Sequence, residues 1–465
     1  MEINTAIVAG TGKSGISATK LLVNHGVKVY LFDENKDRDI EAIKEKTGDS
    51  ELVQIELGEL GEDALSSSQL MVISPGIPVD APFTDVVRNA GIPIWSEIEL
   101  AYHYGKGKIA AITGTNGKTT TTALVGEIVK AHNAKTIVVG NIGIPYTELC
   151  DTTDDDSDTV AEISSFQLET VIDFHPNVSA ILNLTPDHLN RHYTFENYGN
   201  VKFSITKNQT MDDVTVLNYD DEHTRAMGEK AKDHCHVVYF SRLEKPAGGV
   251  YVEDGDIILE DGDKKINVLA IKDLKLMGAH NVENVLAAVG ISYYMGVPVD
   301  VIRDVATSFK AVAHRIEYVD TIDGVAYYND SKGTNPDAAI KGIQAMVAPT
   351  FLIGGGYDKG SEYDEWIEAF DGKVKWLVLI GQTAQKIADC AKRHGFNSII
   401  FEENLQDAVA YCHENAVDGD AVLLSPACAS WGQFDNYEQR GDMFKEYVLS
   451  LIHISEPTRQ EAISY

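Results

Sequence analysis

The 465-residue chain is predicted to be an α/β protein of three domains, each built on a mostly parallel sheet with flanking helices. Three observations predict this. Short apolar runs alternate with helix-length segments along nearly the whole chain. Glycine-rich loops follow several of those runs, at residues 10–15, 114–120 and 354–356. At about 100–200 residues per domain, the length itself allows two to four domains.

The runs 4–9, 27–32, 52–55 and 69–74 read as buried strands of a first domain, residues 1–97. The turn Ser74-Pro75-Gly76-Ile77-Pro78 follows the last of them. A central domain, 98–312, opens with a strand at 108–113 and continues through 136–140 and 178–183. Around 248–268 the texture changes to short alternating runs with Asp-Gly turns, a β-meander. A helix with an apolar period near 3.6 follows at 281–295. The third domain, 313–451, takes its strands from 350–354, 374–380, 398–401 and 421–424. Residues 452–465 break this texture and read as a non-native tail outside the fold.

Composition narrows the function. Hydrophobic residues make up 44% and charged residues 24%, ordinary for a globular protein, which excludes disorder and a coiled coil. No apolar stretch reaches roughly 18 residues, so no membrane span is expected. The start has no basic segment followed by an apolar core, so no secretory leader is expected. Five cysteines without a C-x-x-C pair suit a reduced, cytoplasmic protein rather than a disulfide framework. Thirty-nine basic against 71 acidic residues give a formal charge of −32. Such a surface repels phosphate backbones and anionic lipid, which argues against nucleic-acid and membrane partners. The acidic run 151–158 lacks the glycine and terminal glutamate of a calcium loop and reads as a solvated turn.

Two loops carry phosphate chemistry. Gly10-Thr11-Gly12-Lys13-Ser14-Gly15 is a full G-x-G-x-x-G between a strand and a helix, and Asp33 ends the next strand. That pattern gives a tight turn, close backbone approach to a diphosphate and a helix N-terminus aimed at its charge, so the first domain is expected to be Rossmann-like. The second loop is Thr113-Gly114-Thr115-Asn116-Gly117-Lys118-Thr119-Thr120. Its Gly117-Lys118-Thr119 is the working half of a P-loop: amides wrap the phosphates, Lys118 reaches the terminal oxygens, and the Thr119 hydroxyl ligates magnesium. Ile112 stands where the general motif has its first glycine, so the loop is a shortened variant. The central domain is therefore expected to be P-loop ATPase-like. The first loop alone points to an NAD-dependent oxidoreductase. Both loops together point instead to ATP and a second phosphorylated ligand, as in a ligase or kinase.

Other residues supply supporting chemistry. Glu162 closes a strand at 160–162, where a carboxylate can share magnesium with Thr119. His188 and His192 are spaced i, i+4, but no H-E-x-x-H is present and a zinc-protease reading is poor. In the third domain, expected to be Rossmann-like, Asn329-Asp330-Ser331-Lys332-Gly333-Thr334-Asn335-Pro336 packs a carboxylate, an amine and hydroxyls into one turn. Gly354-Gly355-Gly356-Tyr357-Asp358-Lys359 is a further glycine loop with a lysine. Both lie at strand C-termini, where open α/β sheets bind ligands.

The loop 114–120, Glu162-Ile163-Ser164-Ser165-Phe166-Gln167-Leu168, His280-Asn281 through Asn284, His314-Arg315 and Asn329 to Lys332 together resemble the Mur ligase family. The closing run Ser425-Pro426-Ala427-Cys428-Ala429-Ser430-Trp431-Gly432-Gln433-Phe434, with Tyr437 and Arg440-Gly441, is similar to its D-glutamate-adding branch. The resemblance spans the chain to about residue 451 and implies a monomeric, cytoplasmic, ATP-dependent ligase of peptidoglycan precursor synthesis. Its partners would be UDP-N-acetylmuramoyl-L-alanine and D-glutamate. It implies that Gly10, Gly12, Ser14, Gly15, Asp33, Ser74 and Gly76 hold the UDP moiety, with Asn141 reaching the muramoyl part. Gly114, Thr115, Asn116, Gly117, Lys118, Thr119 and Thr120 would cradle ATP, with Asn281, Asn284, Arg315 and Asp330 contacting the nucleotide. Thr119, Glu162, His188 and a carbamylated Lys202 would bind Mg2+, one ion or two, and Lys332, Thr334, Lys359, Ser430 and the Tyr437 backbone would position D-glutamate. Lys118, His188, Lys202 and Lys332 carry the catalytic expectation. Gly432 stands where the family usually has aspartate. A folate-polyglutamate synthetase shares the ATP core but needs neither the first domain nor the 425–430 segment, and a regulatory protein with a dead site would not need Lys118.

Overall fold

The computed structural model describes residues 3–141, 143–276, 278–310 and 313–451. The expected tail, 452–465, lies outside the described residues. Among the described residues, twenty strands fall into three sheets. The first sheet holds β1 (Thr5–Ala9), β2 (Lys28–Asp33), β3 (Val53–Leu57), β4 (Leu70–Ile73) and β5 (Ile94–Ser96), ordered β3-β2-β1-β4-β5 and parallel throughout. Its central strands are apolar without alternation because helices cover both faces; Ala6, Ile7, Val8 and Ala9 are all inaccessible to water. The strand order reverses at β1, which carries residues 10–15 at its C-terminal end, as a doubly wound sheet requires of its ligand crevice.

The second sheet runs from β6 (Lys108–Thr113) through β7 (Ile137–Gly140), β8 (Asp158–Glu162), β9 (Val178–Ile181), β10 (Val214–Asn218), β11 (His236–Ser241), β12 (Gly249–Glu253), β13 (Asp256–Asp261) and β14 (Lys264–Ala270). Its order is β14-β13-β12-β11-β10-β9-β6-β8-β7. The expected meander is present as antiparallel β12-β13-β14, joined to the sheet by parallel β11–β12 pairing. Its first turn uses Asp254 and Gly255, both at positive φ, the geometry that matches the twist of a two-residue hairpin. The third sheet holds β15 (Glu317–Ile322), β16 (Val325–Asn329), β17 (Thr350–Gly354), β18 (Val374–Leu379), β19 (Ile399–Phe401) and β20 (Ala421–Leu424), ordered β15-β16-β20-β17-β18-β19. All its pairings are parallel except the β15–β16 hairpin, which turns at Asp323-Gly324.

By contacts the chain forms two compact units: Met1–Leu274 with Glu283–Ser308, and Lys275–Val282 with the chain from Phe309 onward. The first unit thus contains both the first and second sheets. Buried polar contacts join them. Glu97, fully buried, accepts from the Thr147 amide at 2.6 Å and the Thr147 hydroxyl at 2.9 Å, and that hydroxyl bonds Ser17 at 2.9 Å. Burial pushes the Glu97 carboxyl above its ordinary pKa, and the Thr147 and Gln167 donors oppose that rise. No described helix is long and apolar enough to cross a membrane.

Candidate active site

In the first sheet, the expected residues converge at the C-terminal ends of β1, β2 and β4. Gly10 has φ +101, and a Cβ there would lie 2.6 Å from Ser74 Oγ. A Cβ on Gly15 would lie 1.8 Å from the Gly10 carbonyl oxygen, so this glycine is required by close approach alone. Gly12 caps the helix Lys13–Asn24 without a side-chain bond and has open space where a Cβ would go, as does Gly76. Ser14 is half-buried in that helix's first turn. Asp33 accepts from the Thr11 hydroxyl at 2.6 Å and the Thr11 amide at 3.1 Å, so it fixes the loop. Burial alone would raise its pKa, but the Thr11 hydroxyl, the amides of Asn35 and Thr11, and Arg38 hold it below the usual carboxylate range. Ser74 Oγ is buried and makes no hydrogen bond among the described residues, which leaves it ready for a ligand.

In the second sheet, adjacent strands β7, β8, β6 and β9 end at one edge, while Lys202 comes from the helix Phe195–Phe203 and Asn284 from the helix Ala279–Tyr294. Gly114 (φ +147) and Gly117 (φ +84) shape the loop, and Gly117 caps the helix Lys118–His132. A Cβ on Gly117 would sit 2.3 Å from Asn284 Oδ1, so Asn284 lies against the loop, 3.3 Å from the Thr121 hydroxyl. Lys118 Nζ donates to the carbonyls of Gly114 and Thr115, each at 2.8 Å. Thr115 and Asn116 have structural duties. The Thr115 hydroxyl lies 3.1 Å from the Thr185 carbonyl and from Tyr198 Oη, and the Asn116 amide donates to Asn183 Oδ1 at 2.8 Å. Thr119 and Thr120 are buried in the first helical turn, and Thr120 Oγ1 finds no partner among the described residues.

Glu162 ends β8 beside this loop. Its Oε1 accepts from Asn141 Nδ2 at 2.9 Å, while Oε2 is buried without a hydrogen bond among the described residues. An unmatched buried carboxylate oxygen is costly unless a cation completes it, and oxygen donors from Glu162 and Thr119 suit magnesium. Lys202 is only 2% exposed, with Nζ 2.8 Å from the Gly114 carbonyl and 3.4 Å from Thr113 Oγ1. Burial, with the nearby Lys118 charge, drives its pKa well below the ordinary lysine value. His188 adopts φ +53, a conformation costly for a residue with a Cβ, and its ring lies 4.8 Å from that of Phe166. His192 is buried against Ser165 Oγ at 3.0 Å, and burial lowers its pKa to about 4, so the two histidines of the i, i+4 pair have different surroundings.

The second unit brings its expected residues together at the ends of adjacent strands β16, β20 and β17. Asp330 accepts from Ser425 Oγ at 2.6 Å and the Ile316 amide at 3.3 Å, and burial pushes its pKa up to about 7 against those bonds and Arg315. Arg315 Nε is buried without a hydrogen bond among the described residues. Lys332 Nζ lies 5.2 Å from the Tyr437 ring, and Lys359 Nζ 5.0 Å from the Trp431 ring. Thr334 follows in the same turn, its amide 2.8 Å from the Lys332 carbonyl. The Tyr437 carbonyl accepts from Ser331 Oγ at 2.8 Å, and Ser430 is buried in the loop after β20. Gly432 has φ +89 and open space around it, so glycine suits this turn where aspartate would be strained. Asn281 lies in the first turn of the helix Ala279–Tyr294.

Two arginines, quoted in motifs but given no role by the sequence, are central. Arg191 pairs with Glu169 at 2.5 Å and donates to the Pro75 and Ile77 carbonyls at 2.9 Å each, holding the 74–78 turn. Its guanidinium stacks 4.3 Å from the Phe166 ring centroid. Arg440 is fully buried and bonds Ser331 Oγ at 2.9 Å and the Ser331 carbonyl at 2.7 Å, locking the 329–334 turn to the last helix. A charged residue after an aspartate–histidine turn was the only signal for Arg191, and long-range partners cannot be read from it.

The Mur ligase MurD-like N-terminal domain matches residues 4–96, the Mur ligase middle domain 112–292, and the Mur ligase glutamate ligase domain 314–428. The UDP-N-acetylmuramoylalanine–D-glutamate ligase of Lachnospira eligens is 56% identical over 97% of this chain and 100% of the relative. UDP-N-acetylmuramate-alanine ligase MurC from Thermotoga maritima shares the fold with a TM-score of 0.60 at 19% identity, covering 97% of this chain and 100% of that one. MurF ligase from the same organism, solved in complex with ADP, gives a TM-score of 0.58 at 17% identity, covering 96% and 95%. The chain belongs to the Mur ligase family.

Proposed function

We propose that this chain is the ATP-dependent ligase that adds D-glutamate to UDP-N-acetylmuramoyl-L-alanine in cytoplasmic peptidoglycan precursor synthesis. The observation that carries the reading is the second-sheet edge, where a P-loop, the unmatched Glu162 oxygen and the buried Lys202 amine stand together. The division of labour follows the expected domains: 1–97 for the UDP substrate, 98–312 for ATP, and 313–451 for D-glutamate.

The substrate carboxylate attacks the γ-phosphorus of ATP, the bond to the β-phosphate oxygen breaks, and ADP leaves an acyl phosphate. Lys118 and the 114–120 amides balance the charge on the transferring group. Thr119, Glu162, His188 and Lys202 would hold magnesium, which screens the phosphate oxygens from the incoming carboxylate. Lys202 suits carbamylation because its burial favours the neutral amine; that nitrogen adds to carbon dioxide, loses a proton and becomes an anionic oxygen ligand. Asn141 holds Glu162 in place through its 2.9 Å bond. Lys332, Thr334, Lys359, Ser430 and the Tyr437 backbone orient D-glutamate. Its neutral amine attacks the acyl carbon, the tetrahedral intermediate expels phosphate, and the amide forms with loss of the amine proton.

Phosphate release from MgATP tests this, with the UDP substrate plus either D- or L-glutamate. The reading requires release that depends on both substrates and strongly prefers D-glutamate. Equal release with L-glutamate, or none while ATP binds, would overturn it. The oxidoreductase alternative has no support, since a hydride transfer leaves the P-loop and its carboxylate without a purpose.

A further inference from the structure

On the second unit, away from the strand ends just described, a set of mixed donors converges. Asp364 opens the short helix Asp364–Glu368, while Cys390 lies in the last turn of the helix Ala384–Arg393 and His394 caps it. One ligand atom from each of the three lies within 4.8 Å of the others. We propose that Asp364, Cys390 and His394 form a site for a thiophilic divalent cation of the zinc class, held by one carboxylate, one thiolate and one imidazole.

The donor set selects the metal. Thiolate with imidazole favours zinc, and neither suits magnesium or calcium, which take oxygen donors. Cys390 and His394 are spaced i, i+4, which places both on one side of the helix. His394 Nε2 lies 2.8 Å from Asp364 Oδ1, and its other nitrogen, Nδ1, lies 3.7 Å from Glu368 Oε1. A carboxylate on the far side of a ligating imidazole is the usual second partner of a metal-bound histidine, since it fixes the tautomer and ring angle. Bonds of about 2.0–2.3 Å put tetrahedral donors about 3.3–3.8 Å apart, so loading opens the 2.8 Å contact between His394 Nε2 and Asp364 Oδ1, replaces that hydrogen bond with two metal bonds, and leaves a fourth position for water.

The surrounding charge is favourable. Burial first, then Asp364 and Glu362, hold the Cys390 thiol above its ordinary pKa, and the same carboxylates attract a cation that would displace its proton. Arg393 lies 3.5 Å from Asp364 Oδ1 with 60% of its side chain exposed, and it can turn into water. The second such donor group, Glu99, His103 and Asp173, carries no similar site: the Glu99 carboxylate is already taken by the amides of Ile172, Asp173 and Phe174 at 2.9, 2.7 and 3.0 Å. Metal at Asp364–His394 would tie the helix that follows the Lys359 loop to its neighbour, so the site is a structural staple.

The test uses the full chain, stripped by chelator and kept reduced, with magnesium in excess to occupy oxygen-donor sites. Cobalt(II) is titrated while the thiolate-to-cobalt charge-transfer band is followed, and zinc affinity is read by competition with a chromophoric chelator. The expected result is one equivalent bound with a thiolate band that Cys390→Ser abolishes. His394→Ala should weaken zinc binding by about tenfold to a hundredfold, and the exposed-site variant Glu368→Gln by about tenfold. Zinc should raise the melting temperature of the parent and not of His394→Ala. Absence of the band, or zinc affinity unchanged in both His394→Ala and Glu368→Gln, would overturn the proposal.

Discussion

Replacing Arg191 with alanine should uncouple the 74–78 turn from the second-sheet machinery. The guanidinium makes two charge-assisted bonds to backbone carbonyls, both 2.9 Å, and pairs with Glu169, whose side chain is 8% exposed. Breaking a buried pair by removing one partner costs about 3–5 kcal/mol, because the remaining charge is left unmatched. Some water can reach these side chains, so the lower end, about 3 kcal/mol, is expected. The loss falls on the turn that carries Ser74, so the KM for the UDP substrate should rise by about tenfold to a hundredfold, while the KM for ATP stays within about twofold. Urea unfolding and initial-rate kinetics read the two effects separately. A cycle with Glu169→Gln decides the cause, since Arg191→Ala should cost much less in that background, with a coupling of about 2 kcal/mol. Additive losses, or equal rises in both KM values, would refute the clamp.

Gly117→Ala forces a Cβ to φ +84 and to 2.3 Å from Asn284 Oδ1. It should cost about 2–3 kcal/mol and weaken ATP binding in calorimetry, leaving the affinity for the UDP substrate intact. Gly12→Ala meets open space and an ordinary φ, so its melting temperature should match the parent. Labelled bicarbonate should give one carbamate carbon resonance that Lys202→Arg removes, because the buried amine is held neutral. For Asp330 the folded pKa, about 7, exceeds the ordinary 3.8, so the folded chain keeps a proton the unfolded chain releases. Its stabilising contribution is complete below about pH 4 and is lost as the pH rises through about 7, up to about 4 kcal/mol in all. Urea midpoints should therefore fall from about pH 5 to about pH 8 in the parent, and less steeply in Asp330→Asn.

Buried parallel strands are continuous apolar runs, which is why β1, β2, β4, β6, β17 and β20 were legible within a residue or two of their observed bounds. The hairpin β15–β16 escaped notice although Asp323-Gly324 is the same turn signal that marked the meander, because Glu317 to Ile322 mixes polar and apolar residues without a clean run. Strands β10 and β11 were missed too, each lying beside a polar helix such as Glu222–Ala231. The loops of the site were readable because tight turns and close approaches demand glycine, as at Gly10, Gly15 and Gly117. The roles inside them were less so. Sequence marks Thr115 and Asp33 as ligand contacts but does not show that the Thr115 hydroxyl also bonds Thr185 and Tyr198, or that Asp33 also accepts from Thr11 in its loop. Arg191 and Arg440 act through partners more than a hundred residues away, a distance that no local pattern encodes.

The claim that this chain activates a carboxylate as an acyl phosphate is tested most directly by isotope transfer. UDP-N-acetylmuramoyl-L-alanine carrying oxygen-18 in its terminal carboxylate is turned over with ATP and D-glutamate, and the released phosphate is analysed by mass spectrometry. One labelled oxygen should appear in inorganic phosphate for each amide formed, with ADP unlabelled. Label appearing in AMP, or unlabelled phosphate alongside amide product, would contradict the mechanism.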